Sequence, residues 1–421
     1  MPTEVASGIP DQRFARFGVV GGGVFFTIQG LANPFFALYA TELGASTFAV
    51  GLMVTLKALL PIVIAMPTGQ LIDSIGPMRM LKYGSWFLLA SLVCTVFATG
   101  IPLLALSQVL IGASVVIMAS SFQVLVAQGD RERRNEAIKK YSMWMSGGGM
   151  LGPIVGGAIA SAFAIPHDGY RAAFVAALVA CVGFMLALFW LSTRYPHPDA
   201  SQIRVRDVFS PSGIVSSYRR GIGLAGARPV QFGLTGTFLV MYIQALYMSF
   251  LPLYLAQNGF ATFLISLTIS LKGLAGMVSR FGLGWLMKRY SLEAILLAAG
   301  TIAAVGVVLT PLAVTSPVTM LLLAAMLGAA VGVNLPVSIM IMVDAVGEAE
   351  RGKLMGLRLL ANRFSQVLSP AMFGILGQLF GLTAAFYSGG AVLVATVVGF
   401  SAYTVRHGPL KAPDKSGEAA E

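Results

Sequence analysis

The chain has 421 residues, of which 57% are hydrophobic and only 11% charged. A water-soluble domain carries about a quarter charged residues, so this composition excludes a soluble globule and, with it, the two or three soluble domains that length alone suggests. The formal net charge of +11 raises the question of nucleic acid, and the placement of the charges answers it.

A bilayer core is about 30 Å thick, and a helix that crosses it needs about 20 largely apolar residues. Twelve windows qualify: 17–40, 47–68, 80–99, 102–127, 142–164, 170–192, 230–255, 262–284, 292–312, 317–343, 354–378 and 382–404. The expected fold is therefore an all-α membrane protein. Residues 1–192 are expected to form one six-helix bundle and 230–404 a second. A polar, basic central loop at 193–229 joins them, and a tail follows at 405–421. Arg13 and Arg16 lead directly into the first span with no small-residue cleavage site after it, so no cleavable signal peptide is expected.

Orientation follows from the loops, because cytoplasmic loops collect Lys and Arg. With the N-terminus inside, the inner segments carry Arg13 and Arg16, Arg79 and Lys82, five basic residues between 131 and 140, and six between 194 and 228. They also carry Lys288 and Arg289, Arg351 and Lys353, and Arg406, Lys411 and Lys415, whereas the outer loops hold only Arg171. The basic excess is thus a signal of topology and of contact with membrane lipid, and no nucleic-acid partner is expected. The expected location is the cell inner membrane, with both termini cytoplasmic. Cys94 and Cys181 lie in apolar runs and read as packing residues. His167, His197 and His407 form no cluster, and no catalytic triad, metal-ligand spacing or phosphate-binding loop occurs. Neither an enzyme nor a metal or other cofactor is expected, and the expected driving force is an ion gradient or the solute's own gradient.

The two halves repeat each other. Ile28-Gln29, Leu38-Tyr39, Gly44, Leu56-Lys57 and Gly69 recur at a shift of 215 as Ile243-Gln244, Leu253-Tyr254, Gly259, Leu271-Lys272 and Gly284. Arg134 and Pro153 recur at a shift of 217 as Arg351 and Pro370, and the pattern GxxAAF beginning at Gly169 recurs at Gly381. Parallel repeats of six helices are the plan of one large class of transporters.

Two motifs carry a family resemblance. Residues 69–79 read GQLIDSIGPMR, with Gly69, Asp73, Gly76 and Arg79 matching the GxxxDxxGxR loop that follows helix 2 in the major facilitator superfamily. Residues 148–157 read GGMLGPIVGG and place Gly148, Gly152, Pro153, Gly156 and Gly157 on the GxxxGPxxGG pattern seen often in that superfamily's drug/proton antiporters. Small residues at such spacing let helices approach closely. The chain therefore resembles a twelve-helix major facilitator transporter over nearly its whole length. That resemblance implies secondary transport by alternating access, with these glycine motifs serving conformational change. The loop after helix 8, GWLMKRYS from Gly284, departs from the pattern, with Lys288 where the acid would stand. Drug/proton antiporters also typically carry an Arg four residues before a Gly in helix 4, where this chain has Gln108 before Gly112. The spans hold almost no acid: Asp344 lies at the inner end of helix 10, so no mid-membrane carboxylate relay is visible.

The cations inside the spans are Lys57, Lys272, Arg280, Arg358 and Arg363. A charge at mid-bilayer costs at least about a few kcal/mol, so it usually faces a cavity and performs a task. Helix rise puts Lys57, Lys272, Gln29 and Gln244 all about 18–20 Å from the inner face, near the midplane. Two ammonium groups and two amides in symmetric pairs point to a small anionic solute held between the halves. Each lysine could instead snorkel or bond a carbonyl of a kinked neighbour. Arg363, Gln123 and Asn334 are further candidates for the lining. Arg280 and Arg358 are expected nearer the cytoplasm, snorkelling or paired with Asp344 or Asp73. Tyr39 and Tyr254 are expected as belt residues at the outer interface. The competing expectations are proton-coupled efflux of drugs or amphiphiles, and a transporter-like sensor or scaffold. The expected partners are the solute, membrane lipid and a coupling ion, either a proton or a counter-anion, and the expected state is monomeric.

Overall fold

The computed structural model describes residues 12–127, 131–194, 223–346 and 351–407. The side chain of Asp73, most of the 193–229 loop and the tail beyond 407 lie outside the described residues. The helices are α1 (Gln12–Glu42), α2 (Thr47–Ile75), α3 (Pro77–Val96), α4 (Ile101–Val126), α5 (Arg131–Ser161) and α6 (Pro166–Arg194). After the central loop come α7 (Arg228–Gln257), α8 (Thr262–Ser279), α9 (Leu283–Arg289), α10 (Leu292–Ala313), α11 (Pro317–Val343) and α12 (Arg351–His407). A 3-10 turn at Arg280–Gly282 joins α8 to α9. The 57-residue α12 is broken at Gly381, which has φ 83° and ψ 160°. With α8 and α9 counted as one rod and the arms of α12 as two, each half of the described chain contains six rods.

Nine helical stretches among the described residues are long and apolar enough to cross a bilayer, one of them running through both arms of α12. α3 and α5 fall outside that set: Arg79 and Lys82 occupy the first turns of α3, and a run of small residues fills α5. On α6 an exposed apolar stripe of Val175, Val179, Val182, Leu186 and Trp190 repeats at the spacing of one helix face, as a lipid-facing surface requires.

The ends of the rods follow local chemistry. Ser46 and Ser291 cap α2 and α10 by accepting from the amides of Ala49 and Ala294, each at 3.2 Å. Gly44 and Gly259 take positive φ, and the amides that follow them reach back to the carbonyls of Ala40 at 2.9 Å and Leu255 at 3.0 Å. This is the same glycine-dependent stop at positions 215 residues apart. α2 does not end at Gly69 as expected. It runs helically to Ile75 and turns only at Gly76 (φ 87°), with Pro77 opening α3, so most of the GxxxDxxGxR segment is helix.

Within the first half α1 packs on α5 and α6, α2 on α4, and α3 on α4 and α6; in the second, α7 packs on α12, α8 on α11, and α10 on α11 and α12. The halves meet along two seams, α2 against α12 and α5 against α8, and also where α1 meets α7. Glycine permits both seams. A side chain at Gly51 would strike the Pro370 carbonyl and Gly374, and one at Gly157 would overlap Ser266.

The seams are closed at one end only. A single buried core joins Phe35, Phe36, Leu38, Tyr39 and Phe174 of the first half with Tyr247, Phe250, Tyr254, Phe373 and Phe386 of the second. Toward the other end, where Arg13, Arg79, Lys288 and Arg406 lie, the two halves have separate cores. Tyr39 and Tyr254 are not interfacial. They are 1% and 4% exposed within the shared core, and their hydroxyls bond the Ala98 carbonyl at 3.4 Å and Thr383 Oγ1 at 3.1 Å. Polar tips satisfied inside the protein remove the reason for a tyrosine to sit at the water line. Arg171, at that closed end, donates from Nε to the Val96 carbonyl at 3.0 Å.

The conformation of Gly381 lies in a region open essentially to glycine alone. Gly381→Ala is therefore expected to destabilise the protein by about 1–3 kcal/mol, seen as a lower melting temperature in detergent. Gly284→Ala, where an added Cβ meets nothing within 4 Å, is expected to leave it unchanged. Equal melting temperatures for the two variants would contradict the role given to Gly381.

Candidate functional site

Between the halves lies a cavity of about 460 Å³ lined by α1, α2, α4 and α5 on one side and α7, α8, α11 and α12 on the other. Lys57, Lys272, Gln29, Gln244 and Arg363 all line it, so the structure brings together five of the residues singled out by the repeat and the charge count. Asn33, Gln108, Tyr247, Arg280 and Gln366 join them. No Asp or Glu stands among the described lining residues.

The lysines are placed by glycines. A Cβ on Gly112 of α4 would overlap the Lys57 carbonyl, and one on Gly328 of α11 would overlap the Lys272 carbonyl. Each lysine-bearing helix thus lies directly on a neighbour that has no side chain at the contact. The two contacts are related by the repeat, with a shift of 216 between the glycines.

Each cation then meets an amide oxygen. Lys57 Nζ donates to Asn33 Oδ1 at 2.7 Å, Lys272 Nζ to Gln244 Oε1 at 3.0 Å, and Arg363 Nη1 to Gln366 Oε1 at 2.8 Å. Lys and Arg are donors only, so each contact must take the oxygen of the amide and leave its NH2 to donate elsewhere. On α1 this polarity is passed along: Asn33 Nδ2 donates to Gln29 Oε1 at 3.1 Å. Gln29 is 6% exposed, and its Nε2 is a buried donor with no partner. An unmet buried donor costs about 1–3 kcal/mol, which a ligand supplying an acceptor would recover.

The two lysines differ in surroundings. Lys272 is 6% exposed and also lies 5.3 Å from the centre of the Tyr247 ring. Lys57 is only half-buried. A cation–π contact adds about 0.5–2 kcal/mol, so Lys272 is the better compensated of the pair and Lys57 the more open to the cavity. Arg280, expected nearer the cytoplasm and snorkelling or paired with an acid, also lines the cavity, with Nε donating to the Gly332 carbonyl at 3.4 Å.

Two candidates are placed elsewhere. Gln123 is exposed near the end of α4. Asn334 is 2% exposed inside the second half, against Gly236 and Gly300, with Oδ1 unpartnered. Of the glycine motif on α5, Gly148, Gly152 and Gly156 face α1 at Gly23, Thr27, Gly30 and Leu31, with Pro153 against Gly30. Gly157 faces Ser266 of α8, and Gly149 faces the cavity. Gly69 has open space around it and Arg79 is exposed on α3.

Asn33 was missed, although it stands one helical turn after Gln29 on the same face. Its counterpart at a shift of 215 is Met248, so symmetry offered no pointer.

Residues 18–316 and 294–421 match the Major Facilitator Superfamily. The chain belongs to this family. It is therefore a membrane transporter of the secondary type and not an enzyme. Its relatives include the staphylopine export protein of Staphylococcus aureus, 23% identical over 61% of this chain and 62% of that protein, so that match spans less than two thirds of the relative. Multidrug resistance protein MdtG of Citrobacter koseri is 24% identical over 91% of this chain and 93% of its own. A multidrug efflux pump PmrA homolog of Lactococcus lactis is 26% identical over 75% and 76%. Among solved structures, a peptide transporter POT in complex with sulfate aligns with a TM-score of 0.74 at 14% identity, over 94% of both chains. A bacterial homolog of the human lysosomal transporter Spinster, inward-facing and unoccupied, aligns at 0.70 with 16% identity, over 94% of this chain and 96% of that one. At these identities the likeness to solved structures is one of fold. It covers both six-helix halves.

Gly149 and Gly273 line the cavity and have room for a side chain, whereas Cys181 is buried. In detergent, Gly149→Cys and Gly273→Cys are expected to react with a polar maleimide at least about tenfold faster than Cys181, because thiol reactivity follows access. Three similar rates would mean that water does not reach the cavity.

Proposed function

We propose that the protein carries a small organic or inorganic anion across the inner membrane by alternating access, with the anion held between Lys57 and Lys272. The observation that carries this reading is the polarity of the lining. Four cations, Lys57, Lys272, Arg280 and Arg363, face a cavity with no carboxylate among its described lining residues. Lys57, Lys272 and Arg363 are each bonded by an amide oxygen, which leaves the amide N–H groups to donate. Such a site favours an acceptor-rich, negatively charged solute and penalises cations. Gln29 and Gln244 supply directional hydrogen bonds from opposite halves, with Arg363 as a third charged contact.

The excess of Lys and Arg at the open end supports a cytoplasmic assignment for that end and for both termini. On that assignment the cavity faces inward. The six-helix units, 1–192 and 230–404, would then rock about the two seams, with Gly148, Gly152, Pro153 and Gly156 providing a smooth track for α1. Gly69, Asp73, Gly76 and Arg79 would act in closure at the basic end.

Drug or amphiphile efflux is the second reading. It is favoured by the names of the MdtG and PmrA-type relatives and by Phe25, Phe26, Phe36, Met248 and Met277 in the lining. An antiporter of hydrophobic cations would, however, have to load into a cavity carrying four positive side chains.

Thermal shift of purified protein decides between the two. Anions such as phosphate, sulfate and dicarboxylates are expected to raise the melting temperature, since a ligand at 100 times its Kd stabilises by about 2.7 kcal/mol. Sugars and cationic dyes are expected not to. Lys57→Ala and Lys272→Ala should each weaken anion affinity by about 10- to 100-fold, as a charged hydrogen bond is worth about 1.5–3 kcal/mol, while both variants stay abundant and folded. Stabilisation by cationic dyes that both lysine variants retain would favour efflux and sink the anion site.

A further inference from the structure

The prolines inside the described helices are placed against the cavity. Proline has no N–H, so the carbonyl four residues before it loses its helical donor. For Pro34, Pro61, Pro153, Pro252, Pro336 and Pro370 that carbonyl belongs to Gly30, Lys57, Gly149, Met248, Gly332 and Gln366, and all six of those residues line the cavity. For Pro67 and Pro311 it belongs to Val63 and Val307, which do not. A carbonyl freed inside a membrane has to be met by a neighbour. Two of the six are accounted for. The Gly332 carbonyl accepts from Arg280 Nε at 3.4 Å, and the Lys57 carbonyl is covered by the backbone at Gly112.

Gly30 and Gly149 are different. A glycine can line a cavity only with its backbone, so the main chain itself faces the space between the halves at both positions. Among the described residues no side chain donates to either carbonyl. They share one wall. Gly30 of α1 packs on Gly152 and Pro153 of α5, and Gly149 stands one turn before Pro153, with open space where a side chain would be.

This wall supplies what the side chains lack. The amide oxygens of Gln29, Asn33, Gln244 and Gln366 already accept from Asn33, Lys57, Lys272 and Arg363. The amides and cations therefore offer a solute mostly donors, and the α1–α5 wall adds acceptors. On α1 the two functions fall on successive residues, with Gln29 Nε2 an unmet donor and the Gly30 carbonyl a freed acceptor. An anion with no N–H or O–H of its own would leave the wall unmet. We propose that the solute is a zwitterion: its acid group lies between the lysines, and a protonated amine on the same molecule donates to the Gly30 and Gly149 carbonyls. An ammonium has three donors to share between them, and its own acid group offsets its charge beside the lysines. The inference rests on the anion reading for the acid end and adds the amine end.

Two phosphate esters test it, because phosphoethanolamine and phosphocholine carry the same charges and only the first has N–H donors. In titrations of purified protein, phosphoethanolamine is expected to bind at least about tenfold tighter than phosphocholine, the worth of one hydrogen bond to a charged group. Pro34→Ala and Pro153→Ala each return an N–H to the freed carbonyl and should cut that preference at least about fivefold. Pro67→Ala, whose carbonyl lies outside the lining, should keep it. Inorganic phosphate is the reference ligand for every variant. Equal affinity for the two esters in the parent protein overturns the zwitterion, and phosphate binding that Lys57→Ala weakens would then leave the anion reading standing. A preference that survives both Pro34→Ala and Pro153→Ala overturns the assignment to these carbonyls, as does a parallel loss of phosphate and both esters, which would mean that the prolines only shape the helices. A preference for phosphoethanolamine that the two proline variants remove, with no binding of phosphate and no effect of Lys57→Ala, would keep the acceptor wall and overturn the anion reading.

Discussion

Everything about the site depends on two backbone contacts, Gly112 on the Lys57 carbonyl and Gly328 on the Lys272 carbonyl. A lysine in the middle of an apolar bundle has to be held where its ammonium finds acceptors, because an uncompensated charge there costs at least about a few kcal/mol. The missing side chains let α2 and α8 lie directly on α4 and α11. That fixes the height and direction of both lysines before any side-chain contact forms. Any larger residue at either glycine would lift the lysine helix away from its neighbour, and the Lys57–Asn33 and Lys272–Gln244 bonds with it.

From that placement the chemistry follows. An amide accepting from a lysine has only its N–H groups left to give, and on α1 this is handed on from Asn33 to Gln29, ending at an unmet donor. The lysines thus set the sign of the hydrogen-bonding around them as well as the charge. A carboxylate partner in place of Asn33 or Gln244 would have compensated the lysine more fully, but it would have removed the charge that a solute could feel. The amide meets the cation's hydrogen-bonding need without bringing an opposite charge. At the closed end, Phe35, Phe250, Phe373 and Phe386 pack together across both halves.

The symmetric part of this site was legible in the sequence. A constant shift of 215 at Gln29, Lys57, Gln244 and Lys272 is a two-dimensional signal, since it gives depth and equivalence together. What depth alone suggested fared differently. Asn334 stands at a suitable height, but Gly328 and Gly332 face the cavity, and six residues after Gly328 the helix has turned to the opposite side. Gln123 shares a face with Gly112 yet lies about 16 Å nearer the basic end. Arg280 stands eight residues beyond Lys272, in the 3-10 turn between α8 and α9, and still lines the cavity, whose length toward the basic end no single residue announces. The interfacial assignment of Tyr39 and Tyr254 failed because no local pattern says that the two outer helix ends pack on each other. That is a long-range contact between halves, and it decides whether a tyrosine meets lipid or core.

The repeat and its violations have different work to do. The parts that recur, the Gly44 and Gly259 stops, the Gly112 and Gly328 seats and the paired lysines, build a scaffold whose two halves can exchange roles as the cavity alternates. The departures, Asn33 against Met248 and Arg363 against Ser146, fall on cavity-facing positions. They give one half a longer hydrogen-bond chain and one seam a second charge. The backbone contacts that seat the lysines thus repeat across the halves, while the side chains that line the cavity do not.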